Sequence, residues 1–588
     1  VDDGHWALAY EYDSQNRLTA EHQGWGTLRY GYDACGQLQN LRLPDNNRLT
    51  FNHDKGGHLS TVELNGETLT SHLFKTGRER QRQQGQLLSH YHYDEQNRLH
   101  THAVSQQQHT LYQRHYDYDK TGNLIRLLDT RKGQHDYHYD PLARLTRADH
   151  SQDVQERFGH DPAGNLLMQD RPGPDIVAGN RLMIQGDHHY DYDAFGNLIR
   201  QRRGKGHQLV TEYRYDCQHR LIGITQPNGK TASYRYDPFG RRISKTVDDI
   251  TTEFFWQGDK LVAEHHADRH RSYIYEPDSF RPLALLEGFG PKDTQPFHYQ
   301  LDHLGTPQEL TAPDGKIVWS AHYRAYGEVA RLDISKIDNP LRFQGQYFDP
   351  ESGLHYNRHR YYNPDIGRYL TPDPVKLAGG INGYQYVPNP TGWVDPLGLN
   401  TCPGGDGCKP VTGLENPIGK AQVNERQPTA PQTSREQRRE RIEVLTEANA
   451  KRRILEYEAQ YDTHMVGKHG PEVDDSKVSR RSIDGKDPIT GKFPLKKKGV
   501  PSSQFNSWKL QLQAWTKATS RVERGLPRYT GVDDNKNDIV RLELPGAGRG
   551  YRPNKKDANN PTFNPSMNGA EMKFREDGTP FTLFPIKE

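Results

Sequence analysis

Through the first 240 residues, apolar and polar positions alternate in short stretches such as Tyr10-Glu11-Tyr12-Asp13, each closing on an aromatic residue or His followed by Asp. A turn carrying Gly or Asn comes next in the clearest copies, then Leu and a second alternating stretch. Tyr12-Asp13 leads to Asn16-Arg17-Leu18, Tyr32-Asp33 to Gly36-Gln37-Leu38, and His53-Asp54 to Gly57-His58-Leu59. Later copies begin at Tyr93-Asp94, Tyr118-Asp119, Tyr139-Asp140, His160-Asp161, Tyr192-Asp193, Tyr215-Asp216 and Tyr236-Asp237. Successive Asp positions differ by 20, 21, 40, 25, 21, 21, 32, 23 and 21, and the gap of 40 predicts a degraded copy near Phe74 to Arg78.

Alternation with period two, broken by a turn that needs positive φ, predicts one β-hairpin per unit. A single hairpin cannot bury its apolar face, so neighbouring units must stack or roll into a continuous sheet. Residues 1–290 carry no apolar stripe of period 3.6, which excludes a helical solenoid. Only 32% of residues are hydrophobic, but 33 Tyr and 18 Phe supply apolar area, and the Tyr hydroxyls can stay wet. The expected fold class is mainly β, with a separate α+β region at the C-terminal end.

No run of 18 apolar residues and no charged-then-apolar N-terminus is present, so the sequence reads as soluble, without signal peptide or membrane span. It enters the repeats almost at once from Val1-Asp2-Asp3, which reads as part of something larger. Four Cys (Cys35, Cys217, Cys402, Cys408) cannot make a disulfide framework, and Cys402 with Cys408 lack the second pair of a zinc site. Neither a metal nor a cofactor is expected. From residue 401 onward 33 Lys and Arg face 25 Asp and Glu, whereas residues 1–400 hold 45 against 51. The reversal predicts two jobs, with a basic C-terminal part suited to a polyanion and an acidic part suited to storing it.

The junction carries the longest motif. It runs Gln300-Leu301-Asp302-His303-Leu304-Gly305-Thr306-Pro307, then Asn339-Pro340-Leu341-Arg342-Phe343-Gln344-Gly345-Gln346-Tyr347-Phe348-Asp349, then Arg360-Tyr361-Tyr362. It ends with Gly367-Arg368-Tyr369-Leu370-Thr371-Pro372-Asp373-Pro374 and Asp395-Pro396-Leu397-Gly398-Leu399. This resembles the core-associated region of Rhs (rearrangement hot spot) proteins, relatives of toxin-complex C subunits and YD-repeat teneurins. The resemblance implies a hollow β-cocoon of repeats around a C-terminal toxin, freed by aspartyl-protease-like self-cleavage between Leu399 and Asn400. It assigns Asp373 and Asp395 as the catalytic carboxylates and Arg368 as an arginine near them, and Lys376 stands where family members often have Gly. Two carboxylates held close share a proton and can activate water against a peptide carbonyl. Read without the resemblance, the two Asp-Pro pairs are ordinary turn starters. The implied divisions are a repeat shell at 1–290, a core-associated domain at 291–399, a linker at 400–432 and a toxin domain at 433–588.

Residues 400–432 are rich in Gly, Pro, Thr, Asn and Gln and read as a linker. Ser434 is placed to cap a charged helix from Arg435 to about Tyr461. Downstream, His464 and His469 with Lys468 between them, and Arg480 and Arg481 beyond, form an inventory for cutting RNA without a metal. One imidazole takes the 2′-hydroxyl proton, a second group protonates the leaving oxygen, and cations steady the phosphate. A helix is predicted over Ser502 to Arg524, then strands over 538–544, 571–575 and 580–586. That order resembles the barnase/EndoU/colicin/RelE-like ribonuclease group. The resemblance makes His464 and His469 the acid/base pair, Thr582 the phosphate-orienting group, and Lys573 or Arg575 its helper.

Three classes stay open: an interbacterial effector carrying a metal-independent ribonuclease, with tRNA among its candidate substrates; the same shell carrying a metal-dependent DNase or a protein-modifying toxin; and a structural or adhesive repeat protein with an inert tail. The first implies a cognate immunity protein, RNA as substrate, and type VI secretion components (a VgrG or PAAR-type spike and a chaperone) that engage segments outside this chain. It implies synthesis in the producer's cytoplasm, secretion, and action in the target cell's cytoplasm.

Overall fold

A computed structural model describes residues 6–151, 155–266, 269–399, 402–403, 450–451, 454, 471, 502–523, 531–532, 538–552, 561–575 and 580–586. Sixteen strands, from Leu8–Tyr12 to Leu166–Met168, form one sheet, and sixteen more, from Asp175–Ala178 to Val329–Ser335, form a second. Each sheet follows chain order from edge to edge, the order that successive antiparallel hairpins give. The second sheet crosses residue 291 without a break and ends at Ser335. No described helix is long and apolar enough to cross a membrane.

The Tyr-Asp signature is a bulge followed by a clasped turn. In the unit at Tyr139-Asp140 the ladder register shifts between His138 and Tyr139. Asp140 Oδ1 then accepts the N–H groups of Leu142 and Arg144, both at 2.9 Å, and Oδ2 accepts Arg144 Nε at 2.6 Å. Ala143, the third residue after Asp140, stands at φ 59°; its counterparts Gly36, Gly122 and Gly240 have φ of 83°, 94° and 73°. The Tyr and Leu periodicities are linked as well. Tyr118, Tyr139, Tyr215 and Tyr236 donate their hydroxyls to the carbonyls of Leu99, Leu124, Leu198 and Leu221, each in the preceding unit. These four units are thereby tied to the ones before them. The degraded copy near Phe74 is a hairpin, Glu67–Lys75 with Arg78–Gln84, whose turn shrinks to Thr76-Gly77, both at positive φ.

By contacts the chain divides into two units: Leu28–His265 with His270–Glu425, and Val1–Thr27 with His266–Arg269 and Arg426–Glu588. Within the first of these, buried ions join the two sheets. Arg114 bonds Asp129 (2.8 Å) in the first sheet and Glu309 in the second, with Lys132 Nζ 3.1 Å from Glu309. A small four-stranded sheet, Tyr347–Asp349, Leu354–Asn357, Arg360–Asn363 and Arg368–Tyr369, packs against the repeats. Arg242 of the second sheet reaches its Asp349 with both terminal nitrogens, and Lys245 adds a bond to Asp349 at 2.9 Å.

In the other unit, the helix α1, Trp508–Glu523, lies against a sheet of Ser502–Phe505, Gly531–Val532, Asp538–Arg552, Thr562–Phe574 and Pro580–Ile586. The expected helix start at Ser502 is corrected here. Residues 502–505 are a strand paired with 548–551, and Ser507 is the cap, its Oγ accepting the Leu510 N–H at 3.2 Å. The strands at 538 and 562 run longer than expected, because register shifts between Glu543 and Gly548 carry the ladder past the Pro545-Gly546 stretch. Trp515 is core; the side chain of Trp508 lies outside the described residues. Of the helix expected over 435–461, only Ala450, Lys451 and Ile454 are described, and they are helical. Cys35 and Cys217 are exposed free thiols.

Candidate active site

Strands Leu354–Asn357 and Arg360–Asn363 form a tight hairpin, and the chain returns along Arg368–Tyr369 before the turns at Asp373 and Asp395. This winding brings the two aspartates together in a buried position, each less than a tenth exposed. One nitrogen spans them: Arg360 Nη2 lies 2.8 Å from Asp373 Oδ2 and 3.6 Å from Asp395 Oδ2. The same guanidinium stacks 3.7 Å from the centre of the Tyr369 ring and donates to the Gly383 and Gly398 carbonyls.

Each oxygen of Asp395 has a donor. Oδ1 accepts the Leu399 N–H at 3.0 Å and Oδ2 accepts the Tyr369 hydroxyl at 2.9 Å. Asn357 holds that hydroxyl and the Asp395 carbonyl from the other side, at 2.7 and 2.9 Å. Burial and the Asp395 charge push the Tyr369 phenol well above its usual range, so it remains a donor. Asp373 Oδ1 accepts the Val375 N–H at 2.9 Å. Burial raises the Asp373 carboxyl above its ordinary value, against the opposing pull of Arg360.

The Leu399 backbone lies at this pair. A methyl group added to Gly379 would collide with Asp373 Oδ2 and stand 2.8 Å from the Leu399 carbonyl oxygen, so those two oxygens flank one point. Gly398, at φ 71°, packs so that a Cβ would meet the Asn357 carbonyl at 2.7 Å. Lys376, where glycine was expected, does take the left-handed backbone that favours glycine, at φ 57°.

Arg368 is elsewhere. It pairs with Asn363 at the far end of the hairpin from Arg360, and its guanidinium donates to Asn165 Oδ1 at 3.0 Å and to the Asn180 carbonyl. The arginine at the carboxylates is Arg360, present in the quoted motif, and not Arg368, which the resemblance assigns. Nothing in the spacing of Tyr369 and Asn357 marks them in the sequence. Asn400, His464, Lys468, His469, Arg480 and Arg481 lie outside the described residues. Lys573 sits directly opposite Thr582 in the ladder, with Arg575 just beyond the strand end.

The Teneurin YD-shell family model matches residues 68–389, more than half of the chain. The chain belongs to the YD-shell family, as an Rhs-type repeat protein. Among curated relatives, it is 35% identical over 433 residues to Double-stranded DNA deaminase toxin A of Burkholderia cenocepacia (strain H111), covering 67% of this chain and 30% of that protein. It is 32% identical over 395 residues to Probable deoxyribonuclease RhsA of Dickeya dadantii (strain 3937), covering 64% and 26%. The tRNA3(Ser)-specific nuclease WapA of Bacillus spizizenii is 32% identical over 232 residues, covering 37% and 9%. The chain thus spans less than a third of the length of these relatives. A crystal structure of TcdB2-TccC3-TEV shares the YD-shell fold, with a TM-score of 0.50 and 17% identity over 67% of this chain and 24% of that one.

Proposed function

We propose that this YD-shell chain is the storage part of an interbacterial toxin that cuts itself after Leu399 and so frees the residues that follow. The observation that carries the reading is the buried Asp373-Arg360-Asp395 cluster laid against the Leu399 backbone. In this reading Asp395, held by the Leu399 N–H and the Tyr369 hydroxyl, is the base, and Asp373, whose carboxyl burial raises, is the proton donor. Asp395 takes a proton from water while the water oxygen attacks the Leu399 carbonyl carbon and Asp373 donates to the carbonyl oxygen. As the tetrahedral intermediate collapses, the bond to the Asn400 nitrogen breaks, that nitrogen takes the proton held by Asp395, and Asp373 recovers its own from a hydroxyl of the intermediate. Arg360 holds the Gly398 carbonyl and limits the repulsion between the carboxylates.

A denaturing gel of the whole chain tests this. Wild type is expected as two fragments divided at Leu399, and Asp373→Asn, Asp395→Asn and Arg360→Ala as one intact band. Arg368→Ala is expected to cut. An intact wild-type chain, or cutting by Asp395→Asn, defeats the reading.

The freed part is proposed to be a metal-independent ribonuclease using His464 and His469, with Lys468, Arg480, Arg481, Thr582, Lys573 and Arg575 on the phosphates. Two observations support a nucleic-acid target: the positive balance after residue 401, and the relatives' names, which specify DNA deamination, DNA cleavage and tRNA cleavage. Those names differ in chemistry, so the second reading is a metal-dependent DNase on the same shell. A cognate immunity protein and a type VI spike with its chaperone are the proposed partners. Bacteria expressing the whole chain should lose intact RNA and stop growing, and their extracts should cut RNA in EDTA. His464→Ala with His469→Ala should restore growth; DNA breakage that needs a divalent metal would favour the second reading.

A further inference from the structure

A second cluster of chemically able side chains lies in the first sheet, apart from the aspartate pair. His100 comes from the strand Leu99–Gln106, and His115 and Asp117 from its neighbour His109–Tyr118. Asp117 follows His115 by two and shares its face of the sheet. Thr101, directly opposite His115, shares it as well, so regular alternation would send His100 to the other side. A bulge prevents this. The register against the preceding strand jumps from Leu99 to Thr101 and leaves His100 unpaired. Its ring then meets that of His115 edge-on, with centroids 4.1 Å apart.

The ligand atoms of His100, His115 and Asp117 all lie within 4.8 Å of one another. Both ring nitrogens of His100 have defined roles. Nδ1 lies 3.2 Å from the Tyr116 carbonyl oxygen, which can only accept, so the proton is on Nδ1 and Nε2 presents a lone pair. A backbone carbonyl holding the remote nitrogen is the support that metal-ligating histidines ordinarily have. His115 Nδ1 rests 3.3 Å from Thr101 Oγ1, while Nε2 is 3.2 Å from Asp117 Oδ1. Arg126, the cation opposite Asp117 in the ladder, is turned to Asp136 at 2.8 Å. The three residues are half-buried, leaving a side open to solvent.

We infer that His100, His115 and Asp117 form a binding site for a borderline divalent transition metal, zinc above all, which staples the two strands where the bulge interrupts their ladder. Two imidazoles and one carboxylate with an open fourth position suit zinc, and are too nitrogen-rich for calcium or magnesium. Closing to tetrahedral spacing needs side-chain movements of about 1 Å, within reach of small χ adjustments at a half-buried surface.

The test is equilibrium dialysis of the whole chain against zinc chloride, with the bound metal counted. His100→Ala, His115→Ala and Asp117→Asn should each hold one zinc ion fewer per chain than wild type. His92→Ala, an exposed histidine opposite Thr101, should hold as many as wild type. Cobalt(II) added to wild type should develop visible absorption from a histidine-bound ion, absent from His115→Ala. Equal stoichiometry in wild type and the three variants, with all chains folded by circular dichroism, overturns the inference. Loss of the ion in His92→Ala as well overturns it too, since the binding would then belong to the general histidine surface.

Discussion

The repeat turn at Asp140-Pro141-Leu142-Ala143-Arg144 and the turn at Asp395-Pro396-Leu397-Gly398-Leu399 are the same device, with Gly398 in place of Ala143 and, decisively, Leu399 in place of Arg144. In both, Oδ1 of the Asp accepts the N–H four residues on, at 2.9 and 3.0 Å, and the residue before that donor stands at positive φ, 59° and 71°. In the repeat, Arg144 closes the clasp on Oδ2. At the junction the corresponding residue is Leu399, so Oδ2 of Asp395 is left for the Tyr369 hydroxyl and Arg360. A carboxylate spent on its own turn becomes one available to a neighbour. The setting of its partner, Asp373, differs from the repeat turn too. The Asp140 carboxyl is partly shielded, but the Arg144 N–H and guanidinium hold it below the ordinary value, whereas burial lifts Asp373 above it.

Leu399→Arg gives the comparison its hardest test. The arginine should rebuild the repeat clasp on Asp395, draw Oδ2 from Tyr369 and abolish self-cleavage, leaving one band on a denaturing gel. Full cutting by this variant, with its fold intact by circular dichroism, would show that the exchanged residue is irrelevant.

Stability separates repeat turns by depth. Asp237 is fully buried with Arg241, so Asp237→Ala takes the carboxylate from a buried guanidinium and should cost about 3 to 5 kcal/mol in urea unfolding. Asp140→Ala removes the same bonds from a partly exposed turn and should cost only about 1 kcal/mol. Equal losses would mean that depth does not set the worth of the clasp.

The smallest effects are in pH dependence, and their signs oppose. Asp54, held down by the His58 N–H, and Asp140 have folded values below 3.8; their contribution is complete above that value and is lost as pH falls beneath it. Asp373 is raised, so its contribution is present at low pH and lost as pH rises through its folded value. Self-cleavage of newly synthesised chain, which uses protonated Asp373, should slow over that same rise, while acid should loosen the repeats. A cleavage rate that climbs with pH would reverse the roles given to the two carboxylates.

Much of the fold was legible because its signals are short-ranged. A Tyr-Asp pair, a positive-φ residue three places on and a Leu thereafter encode a bulge, a turn and a strand within ten residues, and repetition encodes the meander. The helix start was not legible, for a long-range reason: Ser502 and Ser507 are equally good caps on paper, and only the pairing of 502–505 with 548–551 decides between them. At the site, the two Asp-Pro turns could be read from the chain, both as turn starters and as members of a pair, and they are both things at once.

The arginine between them could not be read. Arg360 and Arg368 look interchangeable in sequence, each followed by Tyr, and differ only in which end of one hairpin they occupy. The amino-acid order by itself determined the hairpins, their clasped turns and the change of charge after residue 400, because each depends on neighbours along the chain. Only the tertiary structure decided that Asp373, Asp395, Arg360 and Tyr369 share one buried place, and that a bulge turns His100 toward His115. Those outcomes depend on packing and ladder register between distant segments, where burial sets the carboxyl's protonation and a one-residue slip sets the face on which a side chain lies.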